Sequence, residues 1–179
     1  MNKRKKYKIL LFLNEFLRLL APFLIFFNPL MTSVLSLIFD EADFYLFYKS
    51  GYKWIYYHII DKLLDYWWYI FILIYSLDKP IKFFVIILFI YRSLGQFLSI
   101  ISRNEKLLLL FPNILERYFN IYILLLYLGF SKVLLESWNI ALLALGTIIA
   151  FYIEWINHIK KPYYITKKIF KVDVGRWDK

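Results

Sequence analysis

The chain has 179 residues, of which 61% are hydrophobic and 22% aromatic, and its formal net charge is +10. This apolar fraction is far above the roughly 45–50% that is usual in soluble domains, so it predicts an integral membrane protein rather than a soluble all-helical one. The length predicts a single domain. The sequence has no cysteine, which excludes disulfides and thiolate chemistry.

Basic residues are concentrated at the two ends of the chain. Residues 1–8 contain five and residues 160–179 contain seven of the 23 lysines and arginines. Such clusters beside membrane segments are typical of cytoplasmic anchors on anionic lipid. Nucleic-acid binding is the alternative for basic tails, and we expect no nucleic-acid partner. Basic residues precede an apolar run as in a signal peptide, but no small-x-small cleavage site follows, so we expect a retained anchor.

Apolar runs separated by turn signals predict an all-α polytopic membrane protein with six transmembrane helices in one bundle. We expect helices at residues 9–27, 30–48, 57–77, 81–102, 112–130 and 138–159, which gives a basic arm (1–8), a bundle (9–159) and a basic tail (160–179). The turns on one side contain only Lys79, Lys82 and Lys132. The even number of helices and the positive-inside rule predict that both termini are cytoplasmic at an inner or plasma membrane.

Four aspartates occupy the second and third predicted helices. Asp40 and Asp43 are spaced i, i+3, and Asp61 and Asp65 are spaced i, i+4, so each pair lies on one helix face. At about 1.5 Å rise per residue, both pairs fall roughly 6–12 Å below the same, cytoplasmic membrane surface. Carboxylates at this depth need neutralisation by arginines or by a divalent cation, and oxygen ligands suit Mg²⁺, Mn²⁺ or Ca²⁺.

The spacing Asp-x2-Asp-x17-Asp-x3-Asp resembles the signature of the CDP-alcohol phosphatidyltransferase family, D-x2-D-G-x2-A-R-x8-G-x3-D-x3-D. The segment containing Asn14, Arg18 and Pro22 is similar to the start of the first membrane helix of that family. The resemblance covers roughly residues 9–135. It implies two divalent cations, Mg²⁺ or Mn²⁺, on four ligands, the last of which is also the general base: Asp40, Asp43, Asp61 and Asp65.

The family's two glycines and its Ala-Arg pair are replaced here by aromatic residues: Phe44, Phe47, Tyr48 and Tyr57. In the family, these small residues let the nucleotide approach the helices. The aromatic side chains would either fill that space or stack on a base in a rebuilt pocket.

Basic residues on the fourth helix and the following loop are candidate substrate contacts. An arginine within a membrane helix is a functional candidate, and Arg92 is similar in position to an arginine that meets phosphate groups in glycerophosphate-accepting members of the family. An ion pair with one of the aspartates is a compatible alternative. Arg103 and Lys106 lie in the loop where the family contacts its acceptor, but for each of them the sequence favours a solvated positive-inside charge.

Two further pairs have helical spacing. Glu15 and Arg18 are spaced i, i+3, so they can form an ion pair, or they can contribute to the site. Glu154 and His158 are spaced i, i+4 and could form a catalytic or metal-binding pair, or a local hydrogen bond.

Two functional hypotheses follow. The first is a metal-dependent phosphotransferase of phospholipid biosynthesis that moves a phosphatidyl-type group from a nucleotide-activated lipid to an alcohol acceptor. The second is a catalytically silent member of the same fold that acts as a structural or lipid-binding membrane protein. A carrier or channel would need broken helices or internal repeats, and the sequence shows neither sign. Expected partners are membrane lipids, the donor and the acceptor, and the resemblance also implies a possible homodimer.

Overall fold

The computed structural model of the protein describes residues 3–156, with all side chains in that range except those of Trp54, Glu105 and residues 132–134. The described residues form helices, turns and loops without a strand, which confirms the all-α prediction. The α-helices are α1 (Lys3–Leu20), α2 (Pro29–Ser50), α3 (Trp54–Ser76), α4 (Lys82–Ser102), α5 (Ile114–Tyr127), α6 (Lys132–Ser137) and α7 (Asn139–Trp155), and 3-10 segments follow α1 (Ala21–Phe26) and α4 (Glu105–Leu109). The predicted basic tail and the end of the last predicted helix lie outside the described residues.

The first predicted helix begins earlier and divides in two. It begins at Lys3 rather than at residue 9, because lysine and arginine lose little side-chain freedom in a helix. The α-helix ends at Leu20 because Pro22 has no N–H and its ring would clash with the carbonyl of Arg18, and a 3-10 segment continues the direction of the chain. At this junction, the indole N–H of Trp67 donates to the carbonyl of Leu19 at 3.0 Å.

The helices α2 and α3 are joined by a short link whose ends are fixed by local chemistry. Asn28 caps α2 by accepting a hydrogen bond from the backbone N–H of Met31 at 2.9 Å, and Pro29 occupies the first turn. At the other end, α2 terminates at Gly51, whose φ of 74° is readily adopted by glycine. Since α3 begins at Trp54, the link makes the helices antiparallel neighbours, with their aspartate-bearing halves side by side.

The helix α5 lies in the core and packs closely against α7. Its side chains Phe119 and Tyr122 are fully buried. A Cβ added to Gly146 of α7 would lie 3.1 Å from the backbone nitrogen of Tyr118, so the two backbones approach closely there. The hydroxyl of Tyr118 also donates to Asn139 Oδ1 at 2.8 Å, which fixes the start of α7 against α5.

The exterior of the bundle is apolar and parts of its interior are charged. Phe12, Phe27 and Ile140 are at least 75% exposed, whereas Arg18 and Arg92 are buried. Within residues 3–156, two segments are long and apolar enough to cross a membrane, Lys3–Phe26 and Lys82–Ser102, and Asn139–Trp155 is a shorter apolar helix.

Candidate functional site

The four aspartates of α2 and α3 converge on the guanidinium group of Arg18. Its Nη2 lies 2.9 Å from an oxygen of Asp40, 3.3 Å from one of Asp61 and 3.2 Å from one of Asp65. Its Nη1 donates to Asp43. The two pairs therefore meet at one point, and Arg18 is the arginine that partly neutralises them.

Arg18 reaches this position because α1 is fastened to α2 one turn earlier. The amide of Asn14 donates to the carbonyl of Phe39 at 3.0 Å. Residues four apart share a helix face, so this bond directs Arg18 towards α2. Glu15 Oε2 lies 3.8 Å from Nη1 of Arg18, and the predicted Glu15–Arg18 ion pair is therefore present.

Three of the aspartates are arranged to hold a metal ion. Asp40, Asp61 and Asp65, which we call the acidic trio, each offer one oxygen, and these oxygens lie within 4.8 Å of one another. Ligand oxygens lie about 2.0–2.6 Å from Mg²⁺ or Ca²⁺, so those of a single ion are at most about 5 Å apart. The acidic trio meets this requirement. Asp43 lies outside it, since its carboxylate faces Nη1 of Arg18.

A cavity of about 170 Å³ adjoins the acidic trio and is lined by residues from α2, α3, α4, α5 and α7. Besides the acidic trio, its charged lining consists of three basic and three acidic residues: Lys62, Arg92, Arg117, Glu41, Glu116 and Glu154. A small molecule in this space would meet carboxylates that can hold a cation and guanidinium groups that can bind an anion.

Arg92 is paired, but not with an aspartate. Its Nη1 donates to Glu154 Oε1 at 3.2 Å and to the carbonyl of Phe111 at 2.6 Å. The prediction that Arg92 forms an ion pair with one of the aspartates is therefore wrong, because α7 supplies a carboxylate to the same cavity. Glu154 thus has a partner other than the predicted one, and His158 lies outside the described residues.

Two basic residues of the cavity were missed by the sequence analysis. Lys62 is buried, and its Nζ lies 4.0 Å from Asp61. Arg117 follows Glu116, whose backbone N–H donates to Asn113 Oδ1 at 3.3 Å, so Arg117 lies in the first turn of α5. Both were detectable as charges within apolar segments, but their sequence neighbours do not indicate which cavity they face.

Two of the four aromatic residues that replace the family's small residues line the cavity, and a third is buried next to them. Phe44, Phe47 and Tyr57 are buried, and the ring of Tyr57 lies 6.0 Å from that of Phe44 and 5.2 Å from that of Phe47. Phe44 and Tyr57 line the cavity. These three residues therefore fill the space between α2 and α3, whereas Tyr48 is 42% exposed.

The loop after α4 does not contribute its basic side chains to the cavity. Arg103 ends α4 in the left-handed conformation, with φ of 52°, and is exposed. Lys106 is exposed as well, and neither residue lines the cavity. Their positions agree with the alternative that they are solvated charges.

Comparison with known proteins found no matching family model, no matching curated protein and no matching solved structure.

Proposed function

We propose that the protein is a metal-dependent membrane phosphotransferase that moves a phosphatidyl-type group from a nucleotide-activated lipid to an alcohol acceptor, as in phospholipid biosynthesis. One observation carries the proposal: three carboxylate oxygens from two helices lie within 4.8 Å of one another beside a cavity that is also lined by arginines. The resemblance of the aspartate spacing to the CDP-alcohol phosphatidyltransferase signature supplies the reaction class.

The residues of the cavity have distinct roles in this proposal. The acidic trio holds a divalent cation, Mg²⁺ or Mn²⁺, which when bound neutralises charge on the phosphoryl oxygens and the leaving group. Asp65 has the additional role, by resemblance, of accepting the proton of the acceptor hydroxyl. Arg92 and Arg117 bind anionic oxygens of the substrates.

The second cation implied by the resemblance would need Asp43 as a ligand. The carboxylate of Asp43 accepts a hydrogen bond from Arg18 and is not among the oxygens that could bind the first cation. A two-cation site therefore requires Asp43 to separate from Arg18.

We further propose that every α-helix except the short α6 crosses the membrane, which gives six crossings with both termini and the acidic trio on the cytoplasmic side. Large apolar side chains are exposed on α1, α4 and α7; Phe12, Phe97 and Ile148, for example, are 63–75% exposed. A surface of this kind favours contact with lipid over contact with water. Lipids and a lipid-linked donor are then the partners, and a homodimer remains an expectation from the resemblance.

Metal binding and turnover can be tested separately on the purified protein. Manganese should raise the melting temperature of the wild type, and Asp61→Asn should remove most of this shift because it removes a ligand. Release of a nucleoside monophosphate from a labelled CDP-lipid, lost in Asp65→Asn, would identify the chemistry. An unchanged melting temperature at saturating manganese would contradict the proposal.

A second candidate function is a catalytically silent membrane protein with the same fold. The observation that favours it is that Arg18 already contacts all four aspartates, while Phe44, Phe47 and Tyr57 fill space between α2 and α3. Manganese binding without turnover of any nucleotide-activated lipid would favour this candidate over the enzyme.

A further inference from the structure

We infer that the guanidinium group of Arg18 occupies the cation position of the acidic trio, so that a divalent ion binds there only when Arg18 withdraws. This inference rests on the proposed metal site and deepens it. It makes Arg18 the residue that sets the metal affinity of the site, by competition within the protein itself.

The guanidinium group and a metal ion would compete for the same three carboxylates. Nη2 of Arg18 contacts one oxygen of each member of the acidic trio, at 2.9–3.3 Å. A metal ion bound to these oxygens at about 2.0–2.6 Å would lie within the volume that Nη2 fills. The nitrogen and the ion exclude each other, and removal of the nitrogen should expose a site of higher affinity.

Arg18 can leave the acidic trio without becoming an unpaired buried charge. Its other nitrogen, Nη1, donates to Asp43, which is outside the acidic trio. Glu15 Oε2 is 3.8 Å from Nη1, an ion pair that is longer than a hydrogen bond and can shorten. Asp43 and Glu15 therefore provide a second position for the guanidinium group, next to its present one.

The first test compares manganese binding by the wild type, by Arg18→Ala and by a control, Arg103→Gln. Free manganese is measured by electron paramagnetic resonance during titration of each purified protein. Because Arg18→Ala lacks the guanidinium group that competes for the acidic trio, it should bind manganese at least about tenfold more tightly than the wild type does. Arg103→Gln also removes one arginine charge, but from an exposed position that does not line the cavity, and it should leave manganese affinity nearly unchanged.

The second test adds free guanidinium to the Arg18→Ala variant, which lacks this group. Millimolar guanidinium chloride should weaken manganese binding by Arg18→Ala and raise its melting temperature without metal, because free guanidinium can enter the vacated position. Urea at the same concentration, which has a similar shape but no charge, should do neither. The wild type should not respond to either compound in this way.

The outcomes separate this inference from the proposed function. Binding by the wild type, together with equal or weaker binding by Arg18→Ala or with no guanidinium competition, would overturn the inference and leave the metal site in place. If neither protein binds manganese, the metal site itself is wrong. Arg18→Met, which has a long side chain without charge, is measured if Arg18→Ala cannot be purified; affinity no tighter than that of the wild type would overturn the inference.

Discussion

At the level of single residues, the charges of the site do not balance. Four aspartates face one guanidinium group, and Lys62 adds one further positive charge near Asp61. Buried carboxylates without enough compensating charge are costly. The deficit must be met by protons or by a bound cation, which is the physical reason for expecting the site to attract a metal ion.

Asp43 pairs with Arg18, whereas the other three aspartates form the acidic trio, and this difference leads to a prediction for Asp43→Asn. Asp43 anchors Arg18 and lies outside the acidic trio, so we expect the variant to lose about 2 kcal/mol of unfolding free energy without metal, the cost of a charge-assisted hydrogen bond. Manganese should still raise its melting temperature, in contrast to Asp61→Asn. Thermal unfolding with and without manganese measures both effects. Loss of the manganese shift in Asp43→Asn would instead identify Asp43 as a metal ligand.

At the level of elements, the position of Arg92 depends on how closely the loop before α5 approaches α4. The approach occurs at Gly95, where an added Cβ would lie 2.2 Å from Cβ of Phe111. The carbonyl of Phe111 is one of the two acceptors of Arg92 Nη1. A glycine one turn after Arg92 therefore lets the loop come near enough to hold the arginine.

We accordingly expect Gly95→Ala to be destabilising despite the higher helix propensity of alanine. The clash with Phe111 should displace the loop and cost about 1–3 kcal/mol, as overpacking usually does. The melting temperature of the purified variant measures the loss. Leu94→Ala is the matched control, because Leu94 is 53% exposed on the same helix. A stabilised Gly95→Ala would show that helix propensity outweighs the contact.

The helix ends follow from the same kind of local chemistry. Asn28 and Asn113 cap α2 and α5 through their side chains, and Gly51 ends α2 in the left-handed conformation. These ends place the aspartates of α2 and α3 at matching depth, since α2 stops one residue before Gly51 and α3 begins at Trp54. Convergence of the two pairs is thus a consequence of where the helices stop.

At the level of the whole molecule, polarity is distributed as expected of a protein surrounded by lipid. Apolar side chains cover much of α1 and α4, and the charged groups of the site face one another inside the bundle. The proposed six-crossing arrangement predicts that the loop containing Lys106 lies on the cytoplasmic side and that the turn containing Asp78 lies on the opposite side.

This topology can be measured directly because the chain has no cysteine of its own. Single cysteines introduced as Lys106→Cys and Asp78→Cys lie at exposed positions. A membrane-impermeant maleimide applied to intact cells should label the second and not the first, whereas broken cells should allow both to react. Labelling of both in intact cells would exclude the proposed six-crossing arrangement.

The sequence by itself determined that the long apolar segments are helical and how the aspartates are spaced along them, because these features depend on periodicity, caps and residues near one another in the chain. It did not predict the helical start of α1 at Lys3 or the short helix α6. The end of α1 at Leu20 follows from Pro22, whereas the apolar run alone predicts one helix over residues 9–27. The four-aspartate cluster was also predictable, since helix lengths and a short link suffice to bring Asp40 and Asp61 together.

Only the tertiary structure decided which charge meets which. Arg18 pairs with aspartates 22 to 47 residues away, and Arg92 with Glu154, 62 residues away. No local sequence pattern identifies these partners, because each arginine could form an ion pair with any of several carboxylates in the chain. Packing of α1 against α2, and of α4 and α7 against α5, selects the pairs, and with them the separation of Asp43 from the acidic trio.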